Sequence, residues 1–186
     1  MEEAETRFRA VFESTYPVLA RYARRHGLSA SDADDLVAET YEVAWRRSDA
    51  LPRGDEALPW LLAVSRNLLR NRRRRLWRDR SLMQRLGPPP ETDMGIPTVS
   101  WHDIRRALDR LSGEDRELIL LIAWDGLEPA QAATVLGLTP GAARTRLHRA
   151  RGRMAQFLGV EPNLDPAAAS GQSKRETTSK GGLGDA

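Results

Sequence analysis

The chain has 186 residues, 40% of them hydrophobic and 30% charged, with no cysteine and a formal net charge of +3. That length and apolar content allow one ordinary domain or two small ones. The absence of cysteine excludes disulfides and thiolate metal sites, and the three scattered histidines (His26, His102, His148) form no ligand cluster, so neither a metal nor a cofactor is expected.

The acidic Glu2, Glu3 and Glu5 are unlike a basic leader, and the longest apolar run, residues 118 to 124, is too short to span a bilayer. The expectation is a cytoplasmic protein without membrane insertion. Phe8, Val11, Phe12, Tyr16, Leu19, Tyr22 and Ala23 then recur at spacings of three and four, which predicts an amphipathic helix over residues 5 to 26, bent at Pro17 and ended by Gly27. Ser31 is the expected N-cap of a second helix, with Asp32, Asp34 and Asp35 favourably placed at the positive end of its dipole. Val37, Tyr41 and Ala44, flanked by Leu36, Thr40 and Trp45, are its expected inner face. Residues 31 to 42 hold five acids and no base. Dipole compensation accounts for Asp32, whereas Asp35, Glu39 and Glu42 lie on successive turns and form an acidic stripe suited to a basic partner.

Pro52, Gly54 and Pro59 mark a loop over residues 48 to 59, and a third helix is predicted from residue 60 to about 78. Trp60, Leu61, Val64 and Leu68 are its inward positions. Its second half is arginine-dense: residues 66 to 80 contain eight arginines against Asp79 alone. Arg66, Arg70 and Arg73 align on one side and Asn67, Asn71 and Arg74 on the neighbouring one, interleaving phosphate-holding and base-reading groups. A second basic segment, residues 144 to 153, has five arginines and no acid. These two segments hold +7 and +5 of a total of +3, leaving −9 for the remainder, a segregation that implies two separate polyanionic contacts.

Periodicity fades over residues 79 to 99, where GPPPETDMGIP reads as a flexible linker, and it returns with Ile104, Ala107, Leu108 and Leu111. Ser112 and Asp115 have capping-box spacing before the face Leu118, Ile119, Leu121, Ile122. Residues 127 to 151 then carry a helix-turn-helix. Ala132, Ala133 and Leu136 face inward from its first helix, Gly137 supplies the turn, Leu138 plugs it, and Thr139 and Pro140 suit the cap and first position of a second helix. Ala143, Leu147, Ala150 and Met154 form one buried stripe there, which leaves Arg144, Thr145, His148 and Arg149 opposite for the major groove; Arg146, Arg151 and Arg153 suit phosphates. A plain helical hairpin with a solvated basic face would not need turn, cap and basic face at this spacing. Residues 159 to 186 are polar and Gly/Ser-rich, the composition of a disordered tail.

Taken together, DADDLVAETYEVAW at residues 32 to 45, PWLLAVSRNLLRNRRRR at 59 to 75 and the helix-turn-helix segment at 108 to 154 resemble the extracytoplasmic-function (ECF) group of the bacterial sigma-70 family. The resemblance covers residues 5 to about 157 and is specific because three motifs appear in order around a linker. It implies an all-α chain of two small helical domains, residues 5 to 78 and 100 to 158, joined by the flexible linker 79 to 99. It further implies a non-enzymatic subunit that binds core RNA polymerase through Asp35, Glu39 and Glu42. The −10 promoter element would lie on Arg66, Asn67, Arg70, Asn71 and Arg74, and the −35 element on Arg144, Thr145, Arg146, His148, Arg149 and Arg151. An anti-sigma factor is a further implied partner. Ala38, Gln131, Ala132 and Ala143 depart from the family pattern, where Gln, Glu and larger aliphatics are usual.

The linker could stretch to at most roughly 70 Å at about 3.3–3.6 Å per residue, enough to hold two DNA readers about twenty base pairs apart. Three other functions fit these features less well. A regulator using only the helix-turn-helix leaves the acidic helix and the second arginine cluster without a role. A DNA-processing enzyme needs an activated nucleophile, and Ser65 has no acid or histidine near it in sequence. A protein scaffold leaves both basic helices idle.

Overall fold

The computed structural model describes residues 2 to 79 and 100 to 160. Among these residues every regular element is helical: α1 (Glu2–Arg25), α2 (Ala30–Arg46), a 3-10 turn (Gly54–Glu56), α3 (Ala57–Asp79), α4 (Trp101–Asp109), α5 (Gly113–Ala123), α6 (Pro129–Leu136) and α7 (Pro140–Leu158). The expected linker and tail fall outside the described residues, apart from Asp79, Gly159 and Val160.

The first three helices form one bundle. α1 contributes Leu19 and Tyr22, both fully buried, and continues through Pro17 until Gly27, at φ 73°, turns the chain. α2 begins two residues before the expected point, because Ser29 rather than Ser31 is extended and accepts the Asp32 N–H at 3.1 Å. Only Asp32 is therefore in its first turn. Trp45 is not on the inner face: it is 48% exposed and meets Phe8 edge-on at 5.0 Å.

α3 starts at Ala57, three residues before the prediction, and Pro59 sits in its first turn, where a missing N–H costs no helical bond. Beyond its first turn, the buried positions are Leu61, Leu62, Ser65 and Leu69, while Trp60, Val64 and Leu68 are half-buried. The predicted stripe is thus rotated, because α3 is covered from two directions, by α1 and α2 and also by α6. Ser65 pairs with the Thr40 hydroxyl at 2.7 Å, satisfying two buried polar groups at once.

In the second bundle, Ser100, Ser112 and Thr139 cap α4, α5 and α7 by accepting the N–H groups of Asp103, Asp115 and Ala142. Gly137 ends α6 in the left-handed region at φ 68°, and Leu138 returns its N–H to the Ala133 carbonyl at 2.9 Å. Ala132, Ala143 and Ala150 are completely buried, so α6 and α7 meet through small side chains. One apolar cluster runs through both bundles, from Leu19 and Leu36 through Leu61 to Leu118, Leu121 and Leu147.

A Cβ at residue 137 would meet nothing within 4 Å, so Gly137→Ala tests backbone strain alone. The substitution should cost about 1–2 kcal/mol, read as a lower urea midpoint with an unchanged slope.

Candidate nucleic-acid interface

α7 presents two distinct faces. Ala143, Leu147 and Ala150 are buried, with Met154 packed against the core beneath them, and this anchors the helix so that Arg144, Thr145, His148 and Arg149 stand exposed opposite. The Thr145 hydroxyl donates to the Gly141 carbonyl at 3.1 Å, which leaves its oxygen lone pairs outward as acceptors. Arg151 is exposed as well. Arg146 instead turns toward α5, where it meets Glu114 and, at 3.3 Å, Asp115. Asp115 also binds Arg153 at 2.6 Å and accepts the Ser112 hydroxyl at 2.6 Å. This buried carboxylate at the positive end of α5 ties α7 to its support.

α3 divides its arginines similarly. Asn67, Arg70, Asn71 and Arg74 are exposed along its outer side. Arg66 turns inward and is only 12% exposed, its Nε–H shared between both Glu117 oxygens at 3.1 Å. Arg72, which no sequence pattern distinguished from its neighbours, binds Glu39 at 2.7 Å and the Asp32 carbonyl at 3.1 Å. Arg73 donates to the His26 carbonyl at 3.4 Å.

The acidic stripe of α2 is consequently uneven. Asp35 and Glu42 are exposed, Glu42 with a weak, solvated partner in Arg46 one turn on, whereas Glu39 shares its charge with Arg72. Beside α3, burial and then the Glu117 carboxylate push the Tyr22 phenol well above its ordinary pKa, so it remains a donor to Glu117 at 3.0 Å.

The sequence is matched by family models described as Sigma-70 region 2, over residues 11–79, and Sigma-70, region 4, over residues 101–154. The ECF RNA polymerase sigma factor SigL of Mycobacterium tuberculosis is 34% identical over 165 residues, covering 82% of this chain and 90% of SigL. This chain belongs to the ECF sigma factors. It is accordingly a transcription-initiation factor that directs RNA polymerase to promoters, and its DNA-binding helix-turn-helix lies in region four. Another relative, the ECF sigma factor EcfG of Rhodopseudomonas palustris, is 31% identical over 149 residues, covering 78% of this chain and 81% of EcfG. The solved structure of the Bartonella quintana sigma factor RpoE, in complex with the anti-sigma factor NepR, superposes with a TM-score of 0.64 at 27% identity. That match covers 83% of this sigma factor and 98% of RpoE. Among the described residues no helix is long and apolar enough to cross a membrane.

His26 lies under this surface, and burial, aided by the positive charges of Arg25, Arg73 and Arg66, lowers its pKa from 6.5 to about 3. The folded chain therefore binds fewer protons than the unfolded one between those values, and stability falls as pH drops through that interval. From pH 6.5 to 5 the melting temperature should fall more steeply in the wild type than in His26→Gln. Equal slopes would assign the acid sensitivity to other groups.

Proposed function

We propose that this sigma factor divides promoter recognition between its two basic helices and docks on core RNA polymerase through α2. The assignment uses four segments: residues 5 to 78 for core and −10 binding, 79 to 99 as linker, 100 to 158 for −35 binding, and 159 to 186 as tail. The observation that carries it is the exposed face Arg144, Thr145, His148 and Arg149 on a helix whose opposite side is locked into a helix-turn-helix core. Arginine there can pair with guanine O6 and N7, while Arg151, farther along, suits a phosphate. Arg146 reaches DNA only by leaving Glu114 and Asp115. On α3, Asn67, Arg70, Asn71 and Arg74 hold −10 DNA, joined by Arg66 once it is released, with the loop at residues 48 to 57 receiving an unstacked base. Asp35 and Glu42, with Glu39 between them, dock a basic surface of the polymerase.

Its role is one of binding rather than catalysis, and its compartment is the cytoplasm, where polymerase works. The RpoE relative is seen with an anti-sigma factor, which supports a protein antagonist here too. Mixing the full chain with core polymerase and a promoter library tests the whole assignment. Specific initiation from a subset of sequences is expected; binding to DNA with no effect on initiation would overturn it.

Two sets of variants test its parts. Arg144→Ala or Arg149→Ala should cost about 1–3 kcal/mol on the cognate −35 sequence and far less where the contacted guanine is replaced. Arg151→Ala should weaken all sequences alike and reduce the salt slope by about one unit. A uniform loss for Arg144 and Arg149 would make them phosphate clamps. For the polymerase surface, Asp35→Lys with Glu42→Lys should abolish holoenzyme assembly in a pull-down at moderate salt while circular dichroism stays unchanged; undiminished core binding would refute α2 as the docking helix.

A further inference from the structure

Two of the five arginines in residues 144 to 153 end on carboxylates of α5 rather than in solvent. Arg146 Nε lies 3.3 Å from Asp115 Oδ1 and Arg153 Nη2 lies 2.6 Å from Asp115 Oδ2, so one carboxylate receives a guanidinium at each oxygen. On an α-helix residues 146 and 153 are two turns apart, roughly 10 Å along the axis. Asp115 therefore sits between them on one side of α7, and a slide of the helix by one turn, or a roll about its axis, would break at least one pair. The Asp115 side chain is 11% exposed and receives the Ser112 hydroxyl at 2.6 Å, whereas Arg146 and Arg153 are 35% and 41% exposed. The acid is fixed, and the guanidinium groups are the movable partners.

Arg146, Arg149 and Arg153 follow one another at i, i+3 and i+7, making one flank of the face that presents Thr145 and His148. With all three extended into solvent, that flank would be a row of phosphate contacts open to any duplex in any register. Of the three, only Arg149 is exposed. The difference is large: at a salt slope of about 0.9 per phosphate, each contact multiplies binding about eightfold between 1 M and 0.1 M salt. Wrong sites far outnumber right ones on a chromosome, so what matters is the ratio of cognate to unspecific binding. Asp115 weakens the unspecific side of that ratio without touching DNA.

We propose that Asp115 is a specificity-determining positioning residue of the −35 reader: by holding Arg146 and Arg153 against α5 it fixes the roll of α7 and makes their phosphate contacts conditional on Arg144 and Arg149 first seating the helix in the groove. The inference rests on the promoter-reading assignment above. Seating brings the DNA backbone alongside the flank, where a phosphate can take each guanidinium in exchange for the carboxylate, so a charged partner is replaced rather than lost. A glancing encounter with unrelated duplex has no such fit and leaves both arginines on Asp115. Glu114 assists at Arg146 from an exposed position, where an ion pair is weak.

Holoenzyme assembled from the full chain and core polymerase tests this on two duplexes that differ only at the −35 element, one selected by initiation and one shuffled. The contribution of core polymerase is then common to every variant. Asp115→Asn keeps the shape of the side chain and an acceptor for the Ser112 hydroxyl while removing the charge. At 0.1 M salt it should bind the shuffled duplex about eightfold more tightly for each arginine released, and its salt slope there should steepen by about one to two units, the lower figure if Glu114 still restrains Arg146. The cognate-to-shuffled initiation ratio should fall about tenfold. Asp115→Glu, which restores the charge, should recover most of the parent ratio. Adding Arg146→Gln and Arg153→Gln to Asp115→Asn should return the slope on shuffled DNA to the parent value, a response that mere loosening of α7 would not give. An unchanged slope in Asp115→Asn, or a change that survives removal of both arginines, would overturn the proposal. Should the amide variant melt below the assay temperature, Asp115→Ser, small and able to accept the same hydroxyl, repeats the measurement. Parent holoenzyme that initiates equally from both duplexes would refute the promoter-reading assignment, and the arginine-dependent slope would still report on Asp115.

Discussion

Arginine must be given an anion, and most of this structure follows from where each one finds it. Two short stretches of the sequence carry eight and five arginines, too dense for a small protein to hold by solvation alone without mutual repulsion. The acidic remainder of the chain supplies the answer residue by residue. Glu39 takes Arg72 within the first bundle, Asp115 and Glu114 take Arg146 and Arg153 within the second, and Glu117 and Asp125 take Arg66 and Arg25 between them. Carboxylates on α2 and α5 therefore select which guanidinium groups stay outward. The outward set, Arg70 on α3 with Arg144, Arg149 and Arg151 on α7, forms two exposed surfaces rather than one diffuse cloud.

Small residues let those carboxylates reach their targets. Ala132 and Ala143 are both fully buried. A leaner core here is compensated by close approach of α6 and α7, consistent with interiors that fill to a common density. α7 also packs along α5, where Arg146 and Arg153, two turns apart, share Asp115. A single acid with three partners, Ser112 included, is a stronger positional constraint than three separate surface pairs would be.

The legible parts of this fold are those encoded locally. Gly137, Thr139 and Pro140 specify the turn and start of α7 within four residues, and the alternation of Ala143, Leu147 and Ala150 with Arg144 and His148 shows its buried and exposed sides. Partners far apart in sequence leave no such trace. Arg72 meets Glu39 from 33 residues away, and Arg66 meets Glu117 from 51. Nothing in NRRRR distinguishes the arginine that turns inward from those that do not. The rotated inner face of α3 has the same origin, since its second covering helix, α6, belongs to the other bundle. Ser29 and Ser31 offer equal capping chemistry, and it is Ser29, two residues after the positive-φ turn at Gly27, that is extended and caps α2.

On the proposed assignment, the packing of the two bundles is also asymmetric. The interface covers Arg66 on α3, but it leaves Arg144, Thr145, His148 and Arg149 on α7 in solvent. The −35 reader is thus available in the same conformation that withholds part of the −10 reader. Phosphate contacts form at long range and with little demand on register, whereas trapping an unstacked base needs the strand already opened. A free Arg66 before that point would bind any duplex nearby and add affinity without specificity. Held on Glu117, that guanidinium contributes no such unspecific charge in this arrangement, and the promoter-facing charge that remains in solvent is the one on α7.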